Sequence, residues 1–194
     1  PGKFWINLRT TDLHSKYSLP DLAFHEAIPG HVWQGEYANQ MPLIRTMLAF
    51  NAYSEGWALY AEQLADELGL YDNYQVGRLG FLQSLAFRAC RLVVDTGLHA
   101  KRWTREQAIK YVEDNSADAP GGIVKAIERY IIYPGQATAY MVGRLKISEL
   151  RDKAQKALGK KFDVRGFHDT VLKSGPVPLD VLEEQVDGWI ASQK

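Results

Sequence analysis

His25-Glu26-Ala27-Ile28-Pro29-Gly30-His31 places two histidines six residues apart across a proline-glycine pair, and the fold turns on how that pair bends the chain. On an ideal helix of about 3.6 residues per turn, six steps leave the two imidazoles roughly 120° out of register, too far round to share a partner. The familiar metalloprotease helix spaces its histidines by four, which keeps them on one face. Here Pro29 removes a backbone donor and crowds the preceding turn, while Gly30 tolerates dihedrals closed to other residues. A bulged or widened turn within one helix is therefore expected, and it would swing His31 back beside His25.

A second segment, Ser54-Glu55-Gly56-Trp57-Ala58-Leu59-Tyr60-Ala61-Glu62, supplies two carboxylates seven residues apart, on one helical face and in apolar company. Buried unpaired charge is costly, so Glu55 and Glu62 need partners: a divalent cation is one, an arginine the other. A hydrolytic zinc takes three protein ligands from His, Glu, Asp or Cys, keeps a fourth position open, and works with a further carboxylate as base. His25, His31 and Glu55 suit the ligand roles, with Glu26 as the base and Glu62 available to steady a ligand or meet substrate. Against this stands the ordinary reading. A histidine in a semi-apolar stretch such as Leu22-Ala23-Phe24-His25 is more often a satisfied core residue, and short motifs carry false positives.

Two further segments extend the pattern, Val94-Asp95-Thr96-Gly97-Leu98-His99 and Tyr133-Pro134-Gly135-Gln136-Ala137-Thr138-Ala139-Tyr140. In this order the four motifs resemble those of a large bacterial domain-of-unknown-function family. That family is itself similar to the gluzincin metallopeptidases, and many of its members are exported or carried as lipoproteins. The likeness runs from Gly2 and Asn7 almost to the C-terminus. It implies one zinc ion on His25, His31 and Glu55, water activated by Glu26, a peptide or small amide as substrate, and a periplasmic or membrane-anchored location. Val32 stands where the family usually has another histidine, which leaves His31 as the sole candidate at that end. Family members are considerably longer, with this region at their C-terminal end. The chain is thus expected to be a C-terminal fragment whose partner is the rest of the same protein or a second chain.

Composition bounds the alternatives. With 194 residues, 46% hydrophobic and 24% charged, the chain suits one globular domain, 1–194. Lys plus Arg and Asp plus Glu are equal at 23, so no basic field draws it to nucleic acid. The lone Cys90 excludes an internal disulfide and a thiolate metal cluster, and its apolar neighbours predict a buried thiol. No apolar run is long enough for a transmembrane segment. Lys3-Phe4-Trp5-Ile6-Asn7-Leu8 alternates like a strand with no partner nearby. Helix follows helix after that: a start at Ser18-Leu19-Pro20, a stop at Gly69, a long helix from Tyr74 to about His99, and a capping box at Thr104 and Gln107. Helices are also expected at 123 to 132, from Gly135 to about Leu158, at 164 to 173 and at 178 to 191. The fold expected is mainly α, a zincin-like multi-helix domain with a short N-terminal strand.

Other residues could serve the site. Asp95 and His99, four apart, could pair so that Asp95 orients a ligand histidine, or Asp95 could simply meet Arg88 or Arg91. Tyr133 and Tyr140 are candidate donors to the oxygen of a tetrahedral intermediate, though aromatics at helical spacing are more often core. Arg129 and Gln136 lie beside them, Gln136 suited to substrate backbone. The turn at 173–178 could return His168 to the cleft, and Asn7 could offer an extended substrate an edge. Two other functions keep the same residues: a metal-dependent amidase or esterase, and a non-catalytic helical binding or scaffold module.

Overall fold

The protein is described by a computed structural model over residues 2–48 and 50–194. Ten α-helices are formed by these residues: α1 (Leu19–Glu26), α2 (His31–Ala38), α3 (Leu43–Met47), α4 (Asn51–Glu67), α5 (Gln75–Ala100), α6 (Arg105–Asn115), α7 (Pro120–Ile132), α8 (Ala139–Leu158), α9 (Val164–Lys173) and α10 (Leu179–Gln193). Their ends follow local chemistry. Gly69, at φ +75°, stops α4, and Thr104 with Gln107 forms the reciprocal capping box that opens α6. Asp163 accepts from the Arg165 and Gly166 amides to open α9. No helix among the described residues is long and apolar enough to cross a membrane.

The strand expected at 3 to 8 does not form. Residues 2–7 run without regular structure, and Leu8–Leu13 closes into a 3-10 helix whose first turn is capped by Asn7 Oδ1 accepting from the Arg9 amide at 2.9 Å. Alternation predicts a face to bury, but a strand also needs a neighbour for its ladder hydrogen bonds. No second strand occurs among the described residues. The Gly2 amide instead donates to Glu36 Oε1 at 2.6 Å.

The core gathers around α4, whose residues 56–62 are all buried. On one side Tyr53, Trp57 and Tyr60 pack with Ile147 and Leu150 of α8, Phe167 and Val171 of α9, and Leu182 and Val186 of α10. A second cluster joins Cys90 and Val94 of α5 to Val112 of α6 and Ile123 and Ile127 of α7, so the thiol is buried as expected. Helices α4 and α8 approach so closely that side chains are excluded. A Cβ on Gly143 would stand 1.7 Å from the Ala52 carbonyl oxygen, and one on Gly56 would stand 2.5 Å from the Gly143 backbone. That contact carries the Tyr140 turn of α8 alongside the Glu55 turn of α4.

His168 belongs to this core. Its Nε2 accepts from the Tyr60 hydroxyl at 2.8 Å, and its ring lies edge-on to Trp57. It therefore does not return to the cleft, because the hydroxyl under α4 takes its ring nitrogen. Burial first, then the nearby Arg151, lowers its pKa to about 4.

Two predictions rest on this packing. Gly143→Ala should destabilise the fold by on the order of 1–3 kcal/mol, read as a drop in thermal midpoint, since the added methyl must push two backbones apart. An unchanged midpoint would contradict the close approach. The unfolded His168 binds its proton near pH 6.5 and the folded one only near 4. Its contribution is thus fully present above 6.5 and is lost as pH falls toward 4. Thermal melts across that window should fall more steeply for the native protein than for His168→Gln; parallel curves would speak against a neutral, buried imidazole.

Candidate metal centre

The site is made by a break rather than a bulge. Helix α1 ends at Glu26 and α2 begins at His31, with a turn at 27–30 between them, in which the Ile28–Pro29 peptide is cis. A residue before proline is pushed out of the helical region and Pro29 has no amide to donate, so the helix stops instead of widening. The turn then folds back on itself: a Cβ on Gly30 would stand 1.8 Å from the His25 carbonyl oxygen, and only glycine fits there. Trp57 Nε1 donates to the Pro29 carbonyl at 2.9 Å and ties the turn to α4.

In this arrangement both imidazoles reach one carboxylate oxygen. Glu55 Oε2 lies 3.2 Å from His31 Nε2 and 3.5 Å from His25 Nε2. The ring centroids of the two histidines are 4.9 Å apart and nearly perpendicular. One donor atom each from His25, His31 and Glu55 falls within 4.8 Å of the others, so the three could hold a metal ion. The opposite nitrogen of His25, Nδ1, meets Glu62 Oε1 at 2.6 Å. Metal-binding histidines commonly give their second nitrogen to such a carboxylate, which sets tautomer and ring orientation. Glu62 is completely buried and His25 only 3% exposed. Ser84 Oγ donates to Glu62 Oε2 at 3.4 Å, and the Arg88 guanidinium lies 3.7 Å from Oε1.

The electrostatics describe a place for positive charge. Burial alone would lower the His25 pKa, but hydrogen bonds to Glu55 and Glu62 outweigh it and raise the value to about 9. Burial alone would raise the Glu55 pKa, and the hydrogen bonds and charges of both histidines override it, holding it well below the usual carboxylate range. Beneath them burial, followed by the charge of Glu62, lifts the Asp21 carboxyl to about 7. Two imidazole nitrogens and one carboxylate oxygen, with a carboxylate behind the more buried histidine, are a donor set that could hold a divalent metal ion.

Glu26, at the end of α1, and His31 line a cleft of about 550 Å³ together with Lys3, Phe4, Trp5 and Glu36. Beside His31, the ring of Tyr140 also approaches His25, stacked at 6.2 Å between centroids and 19° between planes. Tyr133 is 59% exposed at the end of α7. The remaining expected residues do local work. Asp95 takes the Gly135 amide on both carboxylate oxygens at 3.1 Å, while His99 Nε2 donates to the Tyr130 carbonyl at 3.0 Å, so the two do not pair. Their helical spacing is right, but the last turn of α7 claims His99 and the turn after it claims Asp95. Gln136 Oε1 accepts from Arg91 at 3.1 Å. Arg129 is exposed beside Tyr130, and Asn7 caps its own turn outside the cleft. Sequence reasoning missed Trp57 as the anchor of the turn, Ser84 under Glu62, and the cleft wall at Lys3–Trp5. An indole N–H amid apolar residues was the available signal for the first, since buried tryptophan seeks an acceptor.

The chain belongs to the family described as bacterial protein of unknown function (DUF885), whose profile matches residues 1–186. Among solved structures it is similar to a proposed lipoprotein from Colwellia psychrerythraea, with 51% identity and a TM-score of 0.92 over 97% of this chain and 33% of that one. It is also similar to a proposed lipoprotein of unknown function from Shewanella oneidensis, with 29% identity and a TM-score of 0.82 over 88% of this chain and 31% of that one. The chain thus spans about a third of the length of these relatives. No curated protein matches it.

Glu62→Gln keeps an acceptor for His25 but removes the charge. Zinc affinity, measured by competition with a chelating dye, is expected to fall by roughly 10–100-fold. Affinity within a factor of two of the native value would mean that Glu62 does not act on His25.

Proposed function

We propose that this chain carries the metal centre of a zinc-dependent hydrolase acting on amide bonds, most simply those of peptides. The observation that supports it is the convergence of His25, His31 and Glu55 on one point, with Glu26 on the wall of the adjoining cleft. Zinc bound by these three residues would supply Lewis acidity and bring the pKa of water toward neutrality. Glu62 holds the His25 ring so that Nε2 faces the shared point. Glu26 takes a proton from the attacking water and passes it to the leaving amine. Tyr140, whose ring stacks against that of His25, is the first candidate to donate to the oxygen on which charge builds as the carbonyl is attacked, and Tyr133, though exposed, is the second. The cleft along Lys3–Trp5 accommodates an extended substrate. Likeness to proteins described as lipoproteins supports an exported or membrane-anchored location, and the remaining two-thirds of the relatives' length supports a further portion of protein as neighbour.

Glu26→Gln tests the chemistry apart from metal binding. With zinc loaded and counted by elemental analysis, hydrolysis of a mixed peptide library is expected to fall by about 10²–10⁴ while zinc content is unchanged. Undiminished hydrolysis would remove Glu26 from the base role. A native, zinc-loaded protein that cleaves no amide or ester would favour the binding-module reading.

A further inference from the structure

Arg91 sits on α5 beside Tyr140, and its charge meets two aromatic rings and an amide but, among the described residues, no ion-pair partner. One of its terminal nitrogens, Nη2, donates to the neutral Gln136 Oε1 at 3.1 Å, and its Nε is buried without a hydrogen-bond partner. Asp95, one turn further along α5, is committed through both oxygens to the Gly135 amide. Arg88, one turn earlier, is engaged by Ser84 at Nη1 and lies near Glu62. Two arginines near the centre thus form no ion pair among the described residues: Arg144 of α8, which donates to Gln63 Oε1 at 2.7 Å, and Arg91, which is the one held against Tyr140. A half-buried guanidinium without a counter-ion is costly, and its planar fork matches a carboxylate.

Its position relates it to the centre. The guanidinium carbon lies 4.0 Å from the centroid of Tyr140 and 5.1 Å from that of Tyr130, and Tyr140 is the ring stacked 6.2 Å from His25. Extended peptide advances about 3.5 Å per residue. These separations put the guanidinium carbon no more than about 10 Å from the His25 ring, a reach of about three residues at most.

We propose that Arg91, braced by Gln136 and Tyr140, binds a carboxylate of the substrate and so sets which amide bond meets the metal centre. The placement of the scissile bond rests on the hydrolase reading; the binding of the carboxylate does not. A free C-terminal carboxylate and an acidic side chain offer the same chemistry, and the probes below separate them.

Three blocked peptides serve as probes: N-acetyl-Ala-Leu as the free acid, the same peptide as its C-terminal amide, and N-acetyl-Ala-Glu as its C-terminal amide. Calorimetric titration of the metal-free protein should find the free acid bound about tenfold or more tightly than its amide, as expected for a charge-assisted pair. If the Glu peptide amide equals the free acid, the side chain is a source; if it binds like the Leu amide, the C-terminus is. Arg91→Gln should abolish the preference and Arg91→Lys should restore part of it, with circular dichroism checking the fold. Gln136→Leu, which keeps the guanidinium but removes its brace, should cut the preference severalfold and serves if Arg91→Gln does not fold. Equal binding of acid and amide, or a preference unchanged in either Arg91→Gln or Gln136→Leu, overturns the assignment. Zinc-loaded protein is then assayed for cleavage of longer peptides ending in acid or amide. Arg91-dependent binding without cleavage retires the hydrolase reading alone, and cleavage indifferent to the carboxylate retires the Arg91 assignment alone.

Discussion

His25 lies between two carboxylates, Glu55 at Nε2 and Glu62 at Nδ1, in a setting where water is almost entirely excluded. Removing one member of a buried charge pair costs roughly 3–5 kcal/mol, since the other is left unanswered. The two carboxylates on one face of α4 therefore hold the end of α1 in place. Once His25 is fixed, the turn at 27–30 must deliver His31 to the same oxygen of Glu55. Arg88 and Ser84 of α5 complete the enclosure from below, so three helices converge on the ring of one histidine.

Backbone proximity makes that convergence possible. Gly30 lets the turn press against the His25 carbonyl, and Gly56 with Gly143 lets α8 press against α4. Each contact leaves no room for a β-carbon. The first sets the direction of His31; the second brings Tyr140 beside His25, and Arg91 of α5 packs on the Tyr140 ring. Trp57 links the two, its ring packed in the core and its N–H on the Pro29 carbonyl. The convergence of His25, His31 and Glu55 is thus a consequence of helix packing at glycine, with the titratable groups arriving on rigid elements.

Much of this was legible in the residues, and the failures share a cause. Helix ends at Gly69, Thr104 and Pro178 are written in local chemistry, and the structure follows them. Glu55 and Glu62 were readable as one face because helical spacing is itself local. The Pro29-Gly30 pair has the expected consequence through a different device, a full break in place of a widened turn; the spacing of His25 and His31 fits either, the proline stops the helix, and Trp57 from another helix ties the turn down. Lys3–Leu8 alternated as a strand does, yet a strand is a property of two segments. Asp95 and His99 were correctly placed on one face, but the backbone of the segment at 130–135, distant in sequence, took both side chains. Arg91 was visible only as a partner for Asp95, and its lack of an ion pair among the described residues emerges once that partner is seen to be engaged elsewhere.

On the proposed reading, His25, His31 and Glu55 hold one ion. Crystals grown without chelator and with zinc supplied, measured on both sides of the zinc absorption edge, test it most directly. A single anomalous peak within bonding distance of both Nε2 atoms and a Glu55 oxygen, about 2.0–2.2 Å from each, is the predicted result. A featureless map at that point, with the two imidazoles and the carboxylate still hydrogen-bonded to one another at full zinc supply, would contradict it.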